Sequence, residues 1–215
     1  MCGIVGYVGD NSASPILIDG LKKLEYRGYD SAGIAVCRNG KITTVKTKGR
    51  ISDLQKKLDE VGSPQGSVGI GHTRWATHGA PTDANAHPHS GSSGRVTLVH
   101  NGIIENYLEL KAGLEKQGRQ FKSQTDTEVL AQLFDSLYDG NPLETMLKVI
   151  ERVRGSYAVA VLMSDHPDEI LAAKKNSPLI VGIGSGANYL ASDIPALLKY
   201  TRDCAVMQDG EIAIV

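Results

Sequence analysis

Residues 32–46 read Ala32-Gly33-Ile34-Ala35-Val36-Cys37-Arg38-Asn39-Gly40-Lys41-Ile42-Thr43-Thr44-Val45-Lys46. Both central positions of a two-residue hairpin turn require positive φ, which Asn-Gly accepts at least cost. Asn39-Gly40 therefore joins two predicted antiparallel strands, Ala32 to Cys37 and Lys41 to Lys46. Working outward, apolar or alternating runs predict further strands at Ile4 to Val8, Ser67 to His72, Arg95 to His100, Ser156 to Met163, Ile170 to Lys174 and Leu179 to Ile183. Helices are expected between them. After Asp126, the residues Val129, Leu130, Leu133, Phe134 and Leu137 form one apolar stripe. After Asn141-Pro142, Leu143, Met146, Leu147, Ile150 and Val153 form another. Three more helices are expected at about Pro15 to Tyr26, Ser52 to Leu58 and Glu105 to Lys116. Each stripe must be buried against a sheet or another helix, and hairpins outnumber regular βαβ alternation. The fold class is α+β, with mainly antiparallel sheets covered by helices.

Composition narrows the function. The 215 residues carry 23 Lys+Arg against 24 Asp+Glu, a formal charge of −1. A chain that tracks phosphates usually shows a basic excess or stripe, so nucleic acid is not the expected partner. No apolar run approaches the ~20 residues of a membrane span, and the start of the chain lacks the pattern of a secretory signal. Three cysteines, Cys2, Cys37 and Cys204, cannot all pair internally. A cytoplasmic, reducing compartment and a small-molecule substrate are the expectations.

Thr73 to Gly94 shows no sustained periodicity, and a loop that long is usually functional or disordered. It opens on Gly71-His72-Thr73-Arg74-Trp75-Ala76-Thr77-His78-Gly79, which brings the only tryptophan together with an arginine and histidines. That segment reads as a binding loop. Cys2 stands one residue from the start. If Met1 is removed, its α-amine, with an ordinary pKa of about 7.7–8.0, lies beside a thiol of about 8.5 and can act as its base; a buried apolar cysteine is the alternative. An attacking thiolate creates an oxyanion that needs donors. His100-Asn101-Gly102 could supply them from the Asn101 amide and the Gly102 N–H, or could be a plain turn before a helix. Arg74 and Asp126 could grip the carboxylate and ammonium of an α-amino acid; Asp126 could instead cap the helix that begins at Thr125-Asp126-Thr127-Glu128.

Other features carry less. His72, His78, His87, His89 and His100 lack a recognisable metal-ligand spacing, so no metal is expected. Gly182-Ile183-Gly184-Ser185-Gly186 lacks the lysine of a phosphate loop and reads as a turn between strands. Cys37 and Cys204 lie in apolar contexts and are expected to pack in the core.

Taken together, Cys2-Gly3-Ile4-Val5-Gly6, Leu24 to Gly33, Gly71 to Gly79, Asn85-Ala86-His87-Pro88-His89, His100 to Asn106 and Thr125 to Glu128 resemble the N-terminal-nucleophile, or class II, glutamine amidotransferases over nearly the whole chain. The wording of Glu25 to Gly33 and Thr73 to Gly79 points to the hexosamine branch of that family. The resemblance implies a four-layer αββα sandwich and one amidotransferase domain over residues 1–215. It implies that Cys2, freed by loss of Met1, attacks the amide carbon of L-glutamine and releases ammonia, leaving a γ-glutamyl thioester that water hydrolyses to L-glutamate. Asn101 and Gly102 would line the oxyanion hole. Arg74 would hold the α-carboxylate and Asp126 the α-ammonium, with Trp75, Thr77, His78 and Gly102 completing the pocket, Arg27 in support, and residues 73–80 acting as a lid. No cofactor is implied. In the hexosamine branch the ammonia serves glucosamine 6-phosphate synthesis from fructose 6-phosphate on C-terminal sugar-isomerase domains, which this chain does not contain, and the full-length enzyme is expected to be a homo-oligomer. Two alternatives stand beside this: the glutaminase unit of a phosphoribosyl-pyrophosphate amidotransferase, or a catalytically silent interaction module if Met1 is retained.

Overall fold

The computed structural model describes residues 2–75 and 79–215. Its first hairpin is the expected one: β2 (Ser31–Arg38) and β3 (Lys41–Lys48) pair from Arg38↔Lys41 to Ser31↔Lys48, with Asn39 and Gly40 at φ of 51° and 74°. Around it, β1 (Gly3–Gly9), β4 (Val68–Arg74), β9 (Ile180–Ile183), β10 (Ala187–Ala191) and β11 (Asp203–Val206) complete a seven-stranded sheet in the order β11-β9-β10-β1-β4-β2-β3. A five-stranded sheet has the order β12-β8-β7-β6-β5, from β5 (His89–Ser90), β6 (Val96–Ile104), β7 (Gly155–Met163), β8 (His166–Lys175) and β12 (Ile212–Ile214). Among the described residues, each pairing between two of these strands is antiparallel.

Side-chain alternation sorts the apolar residues into three cores, which makes the architecture four layers. Leu17 and Leu21 of α1 (Ala13–Lys22) and Leu54 and Leu58 of α2 (Ile51–Val61) pack with Val5, Ile34 and Val36 on the outer face of the larger sheet. Each such leucine is essentially fully buried, a contribution of about 1.5–3 kcal/mol apiece. Leu98, Ile104 and Val161 of the smaller sheet meet Leu130, Leu133 and Phe134 of α4 (Asp126–Leu137), Leu114 of α3 (Tyr107–Lys116) and Met146 of α5 (Pro142–Ile150). Ile4, Ala35, Val68 and Ile70 face Val99, Ala158, Ala160 and Ala172 between the sheets. That middle layer mixes alanines with larger side chains such as Leu162, Ile170 and Leu190.

The helix starts follow their local chemistry. Asn141 caps α5 by accepting from Glu144 N–H at 3.2 Å, with Pro142 in the first turn. Thr125 caps α4 by accepting from Glu128 N–H at 3.2 Å. Among the described residues, no helix is long and apolar enough to cross a membrane.

Three expectations need correction. The first helix stops at Lys22 rather than near Tyr26, and Glu25–Arg27 forms a separate 3-10 turn. The strand expected to end at His100 continues through Ile104, with Asn101 and Gly102 paired opposite Ala158 and Tyr157. Its partner, β7, lies more than 50 residues away in sequence, so local sequence could not reveal the pairing. Finally, Cys37 is buried as expected but Cys204 is only half-buried, on the strand at the edge of the larger sheet.

Candidate active site

Strand register brings the distant motifs together. Gly3 pairs with Thr73 and Ser31 with Arg74, so Cys2 emerges from the end of β1 beside Arg74-Trp75. Along β4, Val68 and Ile70 face the inter-sheet core, and the two-residue period puts His72 and Arg74 on that same face. Along β6 the alternation divides the site. Asn101 follows Val99 toward the larger sheet, whereas His100 follows Leu98 toward the helices, where Thr127 of α4 lies 3.0 Å from its Nδ1.

These residues open onto a cavity of about 330 Å³ lined by Cys2, Arg27, Arg74, Trp75, Asn101, Gly102 and Asp126 among others. The Cys2 Sγ accepts the Trp75 N–H at 3.2 Å. Burial pushes the thiol pKa up, and the Trp75 N–H and the Arg74 charge act against that shift. A thiol so placed stays protonated until a base takes its proton. Asn101 Nδ2 donates to the Cys2 carbonyl at 3.2 Å, which keeps the amide within reach of the nucleophile. Gly102, at φ 130°, occupies a position where a Cβ would lie 2.1 Å from Ser156 O, so no other residue fits this backbone.

Arg74 and Asp126 both line the cavity. Arg74 is 3% exposed; its guanidinium donates to Gly79 O at 3.0 Å and Ala80 O at 3.4 Å and lies 3.8 Å from Asp30 Oδ1. Asp126 is 5% exposed and its Oδ2 accepts the Ile104 N–H at 2.9 Å. Thr125 performs the capping that the sequence left open for Asp126, so the Asp126 carboxylate is turned to the cavity and to β6 instead. Trp75 is half exposed and lies over Gly28, where a Cβ would approach its ring to 2.5 Å. Arg27 donates to Asp193 at 3.0 Å and to Ser192 O at 3.3 Å, and lines the cavity. Thr77 and His78 lie outside the described residues, as does Met1, and the expected lid at residues 73–80 is described only in part.

Several residues in the site were not singled out from sequence. Asp30 faces Arg74, and its presence in the Tyr29-Asp30-Ser31 run was the only local signal. His72 and His87 stand in the quoted motifs without an assigned role; they are buried, neutral hydrogen-bonding groups, the His72 pKa falling to about 3 and that of His87 well below its ordinary value, in both cases chiefly by burial. Asn85 ties the binding loop to the segment leading into α4, donating to Ala80 O and accepting from Gln124 N–H, both at 2.9 Å.

A cysteine, a carboxamide, a guanidinium and a carboxylate thus line one cavity. A family model for the glutamine amidotransferase domain matches residues 72–199, and the chain belongs to that family. Among its curated relatives, glutamine–fructose-6-phosphate aminotransferase [isomerizing] of Caldanaerobacter subterraneus is 58% identical over 100% of this chain, and that of Thermus thermophilus is 56% identical over 99%. The chain spans 35% of the length of each of these relatives. Among solved structures, the glutamine phosphoribosylpyrophosphate amidotransferase of B. subtilis, complexed with ADP and GMP, superposes with a TM-score of 0.85 at 30% identity, covering 100% of this chain and 47% of that one. A structure described as the allosteric regulatory enzyme of purine biosynthesis gives 0.87 at 29% identity, with the same coverage. The neighbours agree with the four-layer α+β sandwich and its two antiparallel sheets.

Proposed function

We propose that this chain is the glutaminase domain of a glutamine–fructose-6-phosphate aminotransferase and hydrolyses L-glutamine to L-glutamate and ammonia. The observation that carries the reading is the sharing of one cavity by Cys2, Asn101, Arg74 and Asp126. Its 330 Å³ suits an amino acid. Opposite charges on its walls suit a zwitterion, with Arg74 taking the α-carboxylate and Asp126 the α-ammonium. Trp75, Thr77, His78 and Gly102 are proposed to complete the pocket.

With Met1 removed, the Cys2 amine takes the thiol proton, and the sulfur attacks the side-chain amide carbon of glutamine. Negative charge gathers on the former carbonyl oxygen, where Asn101 Nδ2 and the Gly102 N–H stabilise it. Collapse of that intermediate breaks the C–N bond, and the protonated amine returns its proton to the departing ammonia. A γ-glutamyl thioester remains. The amine then deprotonates a water molecule, whose oxygen attacks the thioester carbon; the C–S bond breaks, glutamate leaves and the thiol regains its proton.

The acceptor reaction is part of the same proposal. The identity of 56–58% to the aminotransferases against 30% to the B. subtilis phosphoribosylpyrophosphate enzyme favours fructose 6-phosphate as the eventual recipient of ammonia. Residues 1–215 would form one amidotransferase domain, working with C-terminal sugar-isomerase domains in a cytoplasmic homo-oligomer. The test is glutamate release from L-glutamine by protein whose intact mass shows Met1 removed, with Cys2→Ala as control. Release that vanishes in the control supports the reading, and release that persists overturns it.

A further inference from the structure

Beneath the cavity lies a cluster of imidazoles that the chemistry above does not use. His72 and His87 stack at 4.0 Å between ring centroids, and His89 meets His87 edge-on at 4.9 Å. His100 joins them through Thr127, whose Oγ1 lies 2.9 Å from His87 Nε2 and 3.0 Å from His100 Nδ1. All four rings are at most 5% exposed.

Their partners fix where the protons sit. His72 Nε2 is 2.9 Å from Asn101 Oδ1 and 3.1 Å from His100 O. Both partners can only accept, so Nε2 of His72 carries a proton. His100 Nε2 faces the Ser156 carbonyl at 3.4 Å and is also a donor, which leaves His100 Nδ1 bare to accept the Thr127 hydroxyl proton. That hydroxyl oxygen then accepts from His87 Nε2–H. The other ring nitrogens of His72 and His87, both Nδ1, are buried without a partner among the described residues, as the bare nitrogens should be. Burial keeps the rings neutral, so the arrangement has one direction.

We propose that His72 is a positioning residue that acts through Asn101. An amide can present either its oxygen or its NH₂ to a neighbour. The His72 Nε2–H takes the oxygen, so the NH₂ is turned toward Cys2, as the 3.2 Å contact with the Cys2 carbonyl records. A flipped amide would put a carbonyl oxygen against the developing oxyanion, replacing a donor with a repulsive acceptor. His87, stacked on His72 and tied by Thr127 to the start of α4, keeps the His72 ring from turning.

This inference rests on the proposed glutaminase reading, and the test separates the two. His72→Phe fills the ring's space without a donor; His72→Gln offers an amide N–H near the same place. The account expects His72→Phe to lower kcat for glutamine hydrolysis about 10²-fold with KM changed less than about threefold, and His72→Gln to recover most of the loss. Imidazole ¹⁵N spectra of the unaltered protein should show His72, His87 and His100 as Nε2–H tautomers. A His72→Phe enzyme with full kcat, equal losses in both variants, or an Nδ1–H tautomer at His72 would each overturn the proposal. If His72→Phe does not fold, the ¹⁵N spectra alone decide. Failure of the unaltered, Met1-free protein to hydrolyse glutamine would overturn the glutaminase reading instead, while the tautomers still report on the network.

Discussion

The Asp126 carboxylate, at the first residue of α4, accepts the backbone N–H of Ile104 at 2.9 Å, two residues beyond Gly102 on β6. The proposed ammonium ligand and the proposed oxyanion donors are thereby registered on one strand. A substrate held at one end is delivered to the other at a fixed spacing, which is how positioning lowers a barrier.

Asp126→Asn keeps an oxygen for Ile104 and removes the charge. Charge-assisted bonds contribute about 1.5–3 kcal/mol, so KM for glutamine should rise by roughly 10- to 100-fold with little change in melting temperature. Steady-state kinetics and a thermal melt check both parts.

Thr125→Ala separates capping from binding. Losing the side-chain acceptor for Glu128 N–H should cost about 1 kcal/mol of stability, measured by denaturant unfolding, and leave KM nearly unchanged. The two variants thus exchange phenotypes if the division of labour between neighbours is right.

Asn101→Ala removes the amide donor next to Cys2. The expected loss is about 10²–10³ in kcat, with a smaller effect on KM, because the proposed donor would act on charge that exists only during reaction. Glutaminase kinetics at saturating glutamine read it directly.

The buried imidazoles make stability depend on pH. His72, His87, His89 and His100 are held below their ordinary pKa, chiefly by burial, so the unfolded chain binds more protons than the folded one once pH drops toward the ordinary histidine value of about 6.5. Stability therefore rises with pH through that window and is lost as pH falls below it. Melting temperature should drop steeply between about pH 6.5 and 4, with several protons taken up on unfolding, and less steeply in Thr127→Val combined with His100→Phe, which removes one titrating ring.

Much of this was legible before the structure. Asn39-Gly40 defined a hairpin and Asn141-Pro142 a helix start because turn and cap chemistry are local. Cys2, Arg74, Asn101 and Asp126 could be named from residue type, but their shared cavity depends on pairings such as Gly3↔Thr73 and Asn101↔Ala158 across long sequence distances. The short strands β5, β10, β11 and β12 gave no signal, since runs of two to five residues hold too little alternation to stand out. The part played by His72 was not legible, because its partners, Asn101 Oδ1 and His100 O, come from the other sheet.

The central claim is that Cys2 is the nucleophile of a glutamine site, and the most direct measurement is peptide mapping after exposure of the Met1-free protein to a glutamine analogue with an electrophilic side chain. The account predicts stoichiometric alkylation on the peptide that begins at Cys2, slowed by excess L-glutamine. Alkylation at Cys37 or Cys204 in place of Cys2, or labelling of Cys2 that glutamine does not slow, would contradict it.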